Sequence, residues 1–134
     1  WIILMSDRRK HLVELRRVLL EDLGVDEATV GTYVGETTKR GIARRELERS
    51  RPILLATTRM AEEGFDEARL DTLIFSTPKS NIEQCVGRIQ RTHPDKQEPL
   101  VVDYADTYCG GAMFGMARAR MSFYKSKGFT VEKF

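Results

Sequence analysis

The stretch Gln84-Cys85-Val86-Gly87-Arg88-Ile89-Gln90-Arg91 predicts a short helix with two different faces. Its polar and small residues recur at the helical spacing i, i+3, i+4 and i+7, and they are Gln84, Gly87, Arg88 and Arg91. The apolar residues on the opposite side are Ile82, Val86 and Ile89, with Cys85 beside them. We therefore expect a helix that buries one face and presents two guanidinium groups and an amide on the other.

Upstream of this stretch, Ser80 and Glu83 have the Ser-x-x-Glu spacing of a capping box, which predicts where the helix begins. Two arginines held in this way, beside a glycine that allows close approach, suit a polyanion such as the terminal phosphates of a nucleotide. A surface helix whose arginines pair with solvent or with nearby acids would show the same pattern. The arginines alone therefore do not decide between a binding site and a solvated face.

Length and composition are those of a soluble globular protein with one domain, residues 1–134. Of the 134 residues, 41% are hydrophobic and 31% are charged, which is enough for a core. The net charge of +2 is small, so any polyanion has to be bound by local patches. Cys85 and Cys109 fit neither a disulfide framework nor a zinc site, so no metal site is predicted.

We expect an intracellular, reducing compartment, without distinguishing cytoplasm, nucleus or virion. No apolar run is long enough to span a membrane, and no signal peptide is visible, so no membrane partner is expected. The chain opens with Trp1-Ile2-Ile3 and has no initiator Met, which indicates a part of a longer protein.

Apolar segments alternate with amphipathic segments along the chain, which predicts an α/β fold. Strands are predicted at residues 2–5, 29–34, 53–57, 70–75 and 100–104, with a further edge strand at 129–134. Helices are predicted after the first strand, with Leu12, Leu15, Leu19 and Leu23 inward and Gly24 as the stop, and at 41–50, 58–63, around 84–91 and at 111–127. This alternation favours a mostly parallel sheet with helices on both faces.

Ligands of an open parallel sheet bind beyond the carboxyl ends of the strands. The segments that follow the predicted strands carry hydroxyl, backbone amide and basic groups, and we expect them to share one rim. Such a rim suits the tracking of phosphates along a nucleic acid strand. A single Ser or Thr at these positions is more often a turn former or a helix cap.

In order and spacing, four segments resemble the motifs of the second RecA-like lobe of superfamily-two helicases. Residues 3–6 resemble motif IV, residues 34–36 motif IVa and residues 54–66 motif V, while residues 84–91 match the Gln-x-x-Gly-Arg-x-x-Arg form of motif VI. Motif VI alone is moderately specific, whereas several motifs in order make a strong signal. The resemblance covers nearly the whole chain, and residues 99–134 are similar to the endings of helicases from large DNA viruses and phages.

The resemblance implies a role for each matched residue in ATP hydrolysis. Arg88 and Arg91 would be arginine fingers on the γ-phosphate, and Gln84 would hydrogen-bond that phosphate or the attacking water. The nucleotide-binding residues implied are Gly64, Asp66, Glu63 and Gly87, with Asp66 reaching the ribose.

The resemblance also implies contacts with the sugar-phosphate backbone of a bound strand, without base readout. The predicted residues are Ser6, Gly35, Thr57, Thr58, Arg59 and Lys39, of which the two basic residues are assigned from their position alone.

The sequence has no Gly-x-x-x-x-Gly-Lys-[Ser/Thr] loop and no Asp-Glu-x-His motif, which in this family belong to the first lobe. The resemblance therefore implies half of an active site. An N-terminal RecA-like lobe of the same polypeptide would hold ATP and most of the Mg²⁺ ligands, and this chain alone would not hydrolyse ATP. Gln84-Cys85 and Gln90 depart from the DEAD-box RNA helicases, which favours DNA as the nucleic acid.

Two other interpretations compete with the helicase lobe. One is a binding module, derived from such a lobe, that only binds nucleic acid or protein. The other is an unrelated Rossmann-like enzyme, which is disfavoured because no Gly-x-Gly-x-x-Gly follows the first strand.

Overall fold

The computed structural model describes residues 1–63, 65–105 and 110–133. The described elements are β1 (Ile2–Ser6), α1 (Arg9–Arg17), β2 (Val30–Tyr33), α2 (Lys39–Glu48), β3 (Ile53–Thr57), α3 (Thr58–Glu62), β4 (Thr72–Phe75), α4 (Glu83–Ile89), β5 (Leu100–Val102) and α5 (Gly111–Ser126). A π-helical turn, Val18–Asp22, extends α1, and a 3₁₀ turn, Glu27–Thr29, precedes β2.

The five strands form one parallel sheet in the order β2-β3-β1-β4-β5. β1 lies in the middle because its apolar run is suited to burial on both faces. In the register of the sheet, Ile3 pairs with Leu54 of β3 on one side and with Leu73 of β4 on the other. The parallel order brings all five carboxyl ends to one edge, which we call the carboxyl edge.

Helices cover both faces of the sheet, as the sequence predicts. On the first face, Ile3 and Met5 belong to a large core layer with residues of α3, α4 and α5, among them Ala61, Val86 and Tyr124. On the second face, Leu4, Leu55 and Val30 pack with Leu12 of α1. The predicted α/β fold with a mostly parallel sheet is confirmed.

The end of the first helix differs from the prediction. Leu12 is buried, but Leu23 is 67% exposed. The reason is the π-helical turn, in which the N–H of Leu23 donates to the carbonyl of Val18 at 3.0 Å. The wider turn shifts the phase of the helix, so Leu20 packs against the second layer in place of Leu23. Gly24, with φ at +65°, ends the helix as predicted.

The capping box predicted for Ser80 and Glu83 is wrong. α4 has Ile82 as its N-cap and no side-chain cap hydrogen bond. Ser80 therefore lies too far before the helix to cap it, and the carboxylate of Glu83 binds Lys127 Nζ at 2.9 Å.

The edge strand predicted at residues 129–134 is also wrong for the part that the structure describes. Residues 129–133 have no strand pairing, and residue 134 lies outside the described residues. Phe129 instead packs edge-on against Tyr124, with ring centroids 5.8 Å apart. Gly128, with φ at +78°, ends α5 as predicted.

The end of α2 is attached to the edge strand β2. The carboxylate of Glu48 accepts hydrogen bonds from the N–H of Thr32 at 2.9 Å and from its hydroxyl at 2.6 Å. A Cβ on the neighbouring Gly31 would lie 2.3 Å from the carbonyl oxygen of Glu48. Glycine at this position therefore permits the close approach of helix and strand.

Candidate functional site

The helix α4 buries the face that the sequence assigns to the core. Ile82, Cys85, Val86 and Ile89 are each at most 1% exposed. On the other face Gln84 and Gly87 are exposed and Arg88 is half-buried. The helix ends at Ile89 with Gln90 as its C-cap, so Arg91 projects from the turn that follows.

Both arginines contact the segment that follows α3. Arg88 donates from Nη2 to the carbonyl of Glu62 at 2.8 Å and from Nη1 to the carbonyl of Phe65. Arg91 pairs through Nη1 with the carboxylate of Asp66. Both guanidinium groups thus contact the segment at residues 62, 65 and 66, where the nucleotide is expected from the sequence.

The pair between Arg91 and Asp66 lies at the surface. The two side chains are 40% and 72% exposed. An exposed ion pair is worth only about 0–1 kcal/mol, so a phosphate can compete with this carboxylate for the guanidinium. The carboxylate of Asp66, predicted on a ribose, is thus occupied by an arginine in this structure.

The other residues predicted at the nucleotide are placed as follows. Gly64 lies outside the described residues. Glu63 is exposed and accepts from Arg59 Nε at 3.0 Å, one turn away. A Cβ on Gly87 would meet nothing within 4 Å, which leaves this surface of α4 open to a ligand.

An ion pair that supports the partner of Arg88 was not predicted from the sequence. The carboxylate of Glu62 binds Lys79 Nζ at 2.7 Å, and the thiol of Cys85 donates to it at 3.6 Å. Burial and the Glu62 carboxylate raise the pKa of Cys85 to about 12, so this cysteine is a neutral thiol. The pair joins the end of α3 to the connection between β4 and α4.

A buried arginine was also not predicted from the sequence. Arg120 is 2% exposed and donates to Asp103 Oδ2 at 2.7 Å, to the carbonyl of Lys79 at 2.6 Å and to the carbonyl of Tyr104 at 3.0 Å. The hydroxyl of Tyr124 donates to the same Asp103 oxygen at 3.0 Å. Burial first, and the Asp103 carboxylate second, raise the pKa of Tyr124, which keeps its phenol protonated.

A signal for Arg120 was present in the sequence. The inward positions of α5 include Met113, Ala117 and Tyr124, and position 120 continues that stripe at helical spacing. An arginine on an apolar stripe indicates a buried partner, and the acid that precedes the last helix, Asp103, was available.

The predicted nucleic acid contacts divide into buried and exposed residues. Ser6 is 0% exposed and Thr58 is 4% exposed. The hydroxyl of Ser6 accepts from the N–H of Arg8 at 3.2 Å and lies 3.1 Å from His11 Nδ1. These side chains present almost no surface to a strand, because Ser6 is used in the turn before α1 and Thr58 begins α3.

The remaining predicted contacts lie nearer the surface. Thr57 is half-buried, whereas Gly35, Lys39 and Arg59 are exposed. Near the start of α2, Arg9 Nη2 lies 3.1 Å and Arg44 Nη2 lies 3.7 Å from the carboxylate of Glu36. Their contact with a strand stays a prediction.

Within residues 1–63, 65–105 and 110–133, no three or more His, Cys, Asp or Glu side chains are grouped to hold a metal ion. Across the same residues, no helix combines the length and the apolar character needed to cross a bilayer.

The fold is that of a RecA-like lobe. The chain matches the crystal structure of the C-terminal part of the Fun30 ATPase domain with a TM-score of 0.54 and 13% sequence identity. The match covers 93% of this chain and 48% of that one. At this identity the likeness establishes the fold, and the predicted RecA-like architecture is confirmed.

In sequence, the chain is similar to proteins of two viruses and a phage that are named as putative or probable helicases. The chain is 29% identical over 133 residues to a putative ATP-dependent RNA helicase of Acanthamoeba polyphaga mimivirus, covering 99% of this chain and 25% of the relative. It is 30% identical over 134 residues to a probable helicase of Escherichia phage T5, covering 96% and 28%. It is 28% identical over 137 residues to a putative ATP-dependent RNA helicase of African swine fever virus, covering 98% and 26%.

No protein-family model matches the chain. The chain spans 25–28% of the length of these curated relatives. Together, the sequence relatives and the fold confirm the resemblance to the C-terminal RecA-like lobe of superfamily-two helicases.

Proposed function

We propose that this chain is the second motor lobe of an ATP-dependent helicase or translocase. In this proposal Arg88 and Arg91 act on a nucleotide held by an N-terminal RecA-like lobe of the same polypeptide. The observation that carries the proposal is that both guanidinium groups contact the segment after α3, at residues 62, 65 and 66. Two relatives whose names include ATP-dependent helicase support the use of ATP.

The residues present fit a polyphosphate. Arg88 uses two of its five N–H donors on backbone carbonyls, and three donors are left for phosphate oxygens. Arg91 exchanges Asp66 for a phosphate, and the amide of Gln84 orients the attacking water. Bound ATP, with Mg²⁺ held mainly by the first lobe, supplies the transferable phosphoryl group, and the guanidinium groups stabilise the negative charge on its oxygens.

The proposal extends to a nucleic acid strand at the exposed part of the rim. Gly35, Lys39 and Arg59 would contact its sugar-phosphate backbone, with basic side chains near the start of α2 adding charge. DNA is the strand expected from the sequence, whereas two relatives are named as putative RNA helicases. Stimulation of ATPase activity by DNA and by RNA of the same length distinguishes the two. We also propose that the protein acts in a reducing intracellular compartment, as expected from its cysteines.

The test is steady-state ATPase activity of the full-length, two-lobe protein with saturating nucleic acid. Arg88→Ala and Arg91→Ala are each expected to lower kcat, by up to about 10³-fold for a finger that contributes fully. The matched control is Arg118→Ala, which removes an exposed arginine on α5 and should leave kcat unchanged. Turnover equal to the parent in both finger variants would refute the assignment.

The binding module is the second candidate function. The observation that favours it is that both arginines already have partners within the lobe, as purely structural arginines would. It predicts that the full-length protein has no ATPase activity stimulated by nucleic acid, and that Arg88→Ala lowers the melting temperature and leaves nucleic acid affinity unchanged.

A further inference from the structure

The position of the Arg88 guanidinium is set by the segment that follows α3. Its two contacts are the carbonyl oxygens of Glu62 and Phe65, three residues apart on the same segment. A fork of two parallel N–H donors fixes the plane of a guanidinium as well as its place. Any movement of this segment therefore moves the group that the proposed function places on the γ-phosphate.

The segment is tied to the body of the lobe by the side chain of Glu62. Its side chain is 26% exposed, and its carboxylate binds Lys79 Nζ at 2.7 Å. The same carboxylate lies next to the thiol of Cys85, which is buried. Without the ammonium group this carboxylate would lie next to a neutral thiol with its charge uncompensated. Desolvation would then favour its turning toward water.

The backbone of Lys79 is itself held by a contact with Arg120. Its carbonyl accepts a hydrogen bond of 2.6 Å from Arg120, which is 2% exposed and is paired with Asp103 at 2.7 Å. The backbone of Lys79 thus rests on a buried ion pair, while its side chain reaches the surface pair with Glu62.

We propose that Lys79 is a positioning residue for Arg88 and acts through Glu62. The chain of contacts runs from the buried Arg120 to the backbone of Lys79, then from its ammonium group to Glu62, and from the Glu62 carbonyl to Arg88. This inference rests on the proposed function, because it gives Lys79 a role only if Arg88 acts in ATP hydrolysis. In this proposal Lys79 acts through its contact with Glu62 and not through a contact of its own with the nucleotide.

The first test is Lys79→Met in the full-length, two-lobe protein, which keeps the length of the side chain and removes its charge. Misplacement of a reacting group by about 1 Å can cost on the order of 10²-fold, so we expect a fall in kcat of about tenfold or more. The KM for ATP, the affinity for nucleic acid and the melting temperature should stay near the parent values. Lys125→Met, on an exposed position of α5, is the matched control and should leave kcat unchanged.

Glu62→Gln tests the other partner. It should lower kcat as Lys79→Met does, and the double variant should be no slower than either single variant, since both remove one contact. Lys79→Arg restores a cation at the same place and should recover most of the activity. If Lys79→Met lowers the melting temperature markedly, the milder Glu62→Gln decides, and unchanged kcat in that variant would overturn the inference.

The decisive comparison uses Arg88→Ala as the background. If Lys79 acts only through Arg88, adding Lys79→Met to Arg88→Ala changes kcat no further. An additional tenfold loss would overturn the positioning role, as would a single Lys79→Met variant with parental kcat. A parental kcat in Arg88→Ala itself would instead remove the proposed function on which the inference rests.

Discussion

Two arginine sites on the same face of the sheet differ in how their charge is held. Arg120 of α5 is 2% exposed and donates to one carboxylate and two backbone carbonyls. Arg91, after α4, is 40% exposed in its side chain and pairs with one carboxylate that is itself 72% exposed. The first guanidinium is buried and held by three partners within the fold, whereas the second can change its partner at little cost.

The difference shows that residue type alone does not separate structural from functional arginines. A buried guanidinium with all its contacts inside the fold contributes to stability, because removing it leaves a carboxylate without compensation. An exposed guanidinium with one contact contributes little to stability and is free to bind a ligand. Arg88, half-buried on two carbonyls, is intermediate between them.

Replacing the locked arginine should have the largest effect on stability. Breaking a buried ion pair from one side typically costs about 3–5 kcal/mol, so Arg120→Met should lower the free energy of unfolding by about this amount. Arg91→Ala should change it by less than about 1 kcal/mol. Urea denaturation monitored by circular dichroism measures both, with the exposed Arg118→Met as control. Similar losses for Arg120 and Arg91 would abolish the distinction.

Lysine substitutions should sharpen the contrast between the two proposed fingers. A lysine cannot reproduce the fork that Arg88 places on two carbonyls, whereas it can reproduce the single charged contact of Arg91. A lost hydrogen bond from a charged group costs about 1.5–3 kcal/mol, or about tenfold or more in rate. ATPase assays of the full-length protein should therefore show Arg88→Lys at least about tenfold slower than Arg91→Lys. The reverse order would contradict the geometry.

Removing the hydroxyl of Tyr124, which lies beside the buried ion pair, should have a smaller effect on stability. Tyr124→Phe removes only the hydrogen bond to Asp103 and should lower the free energy of unfolding by about 0.5–1.5 kcal/mol. Thermal unfolding measures this loss. If the double variant Tyr124→Phe, Arg120→Met loses no more than Arg120→Met alone, the two side chains act as one unit. A loss in Tyr124→Phe as large as in Arg120→Met would place the key contact on the phenol instead.

The smallest expected effect is the contribution of Glu48, beside the edge strand β2, to the loss of stability in acid. Burial alone would raise the pKa of Glu48, but its hydrogen bonds from the hydroxyl and N–H of Thr32 outweigh burial and hold the pKa below the usual 4.5. The unfolded chain therefore binds this proton more readily, so the stability contributed by Glu48 is present above pH 4.5 and is lost as the pH falls through the lower, folded value. Unfolding of the parent and of Glu48→Gln from pH 7 to pH 3 should show a shallower acid loss in the variant. Identical slopes would exclude this linkage.

The elements predicted most accurately were those whose bounds or buried face depend only on residues close in sequence. β3 has the bounds expected from the sequence, because Pro52 precedes a continuous apolar run and a hydroxyl pair follows it. The buried face of α4 is also confirmed, since helical spacing alone determines which residues share a face.

The features that were not predicted depend on partners distant in sequence. Leu23 is a local exception: its exposure follows from a π-helical turn, which the regular spacing of an α-helix does not predict. The support under Arg88 joins residues 62 and 79, and the buried pair joins residues 103 and 120. The sequence predicted that the arginines of α4 and motif V lie near each other, but it could not show which carbonyl or carboxylate each arginine contacts.

The two outer strands of the sheet suggest how the lobe resists aggregation. A free strand edge offers unpaired N–H and C=O groups to any other extended chain. On β2 the N–H of Thr32 is already taken by a charged carboxylate, and on the other side β5 is only three residues long. A strand of a second molecule that paired with β2 would have to displace the carboxylate of Glu48. A strand that paired with β5 would find only three residues to bind. Both edges therefore disfavour the addition of a sixth strand.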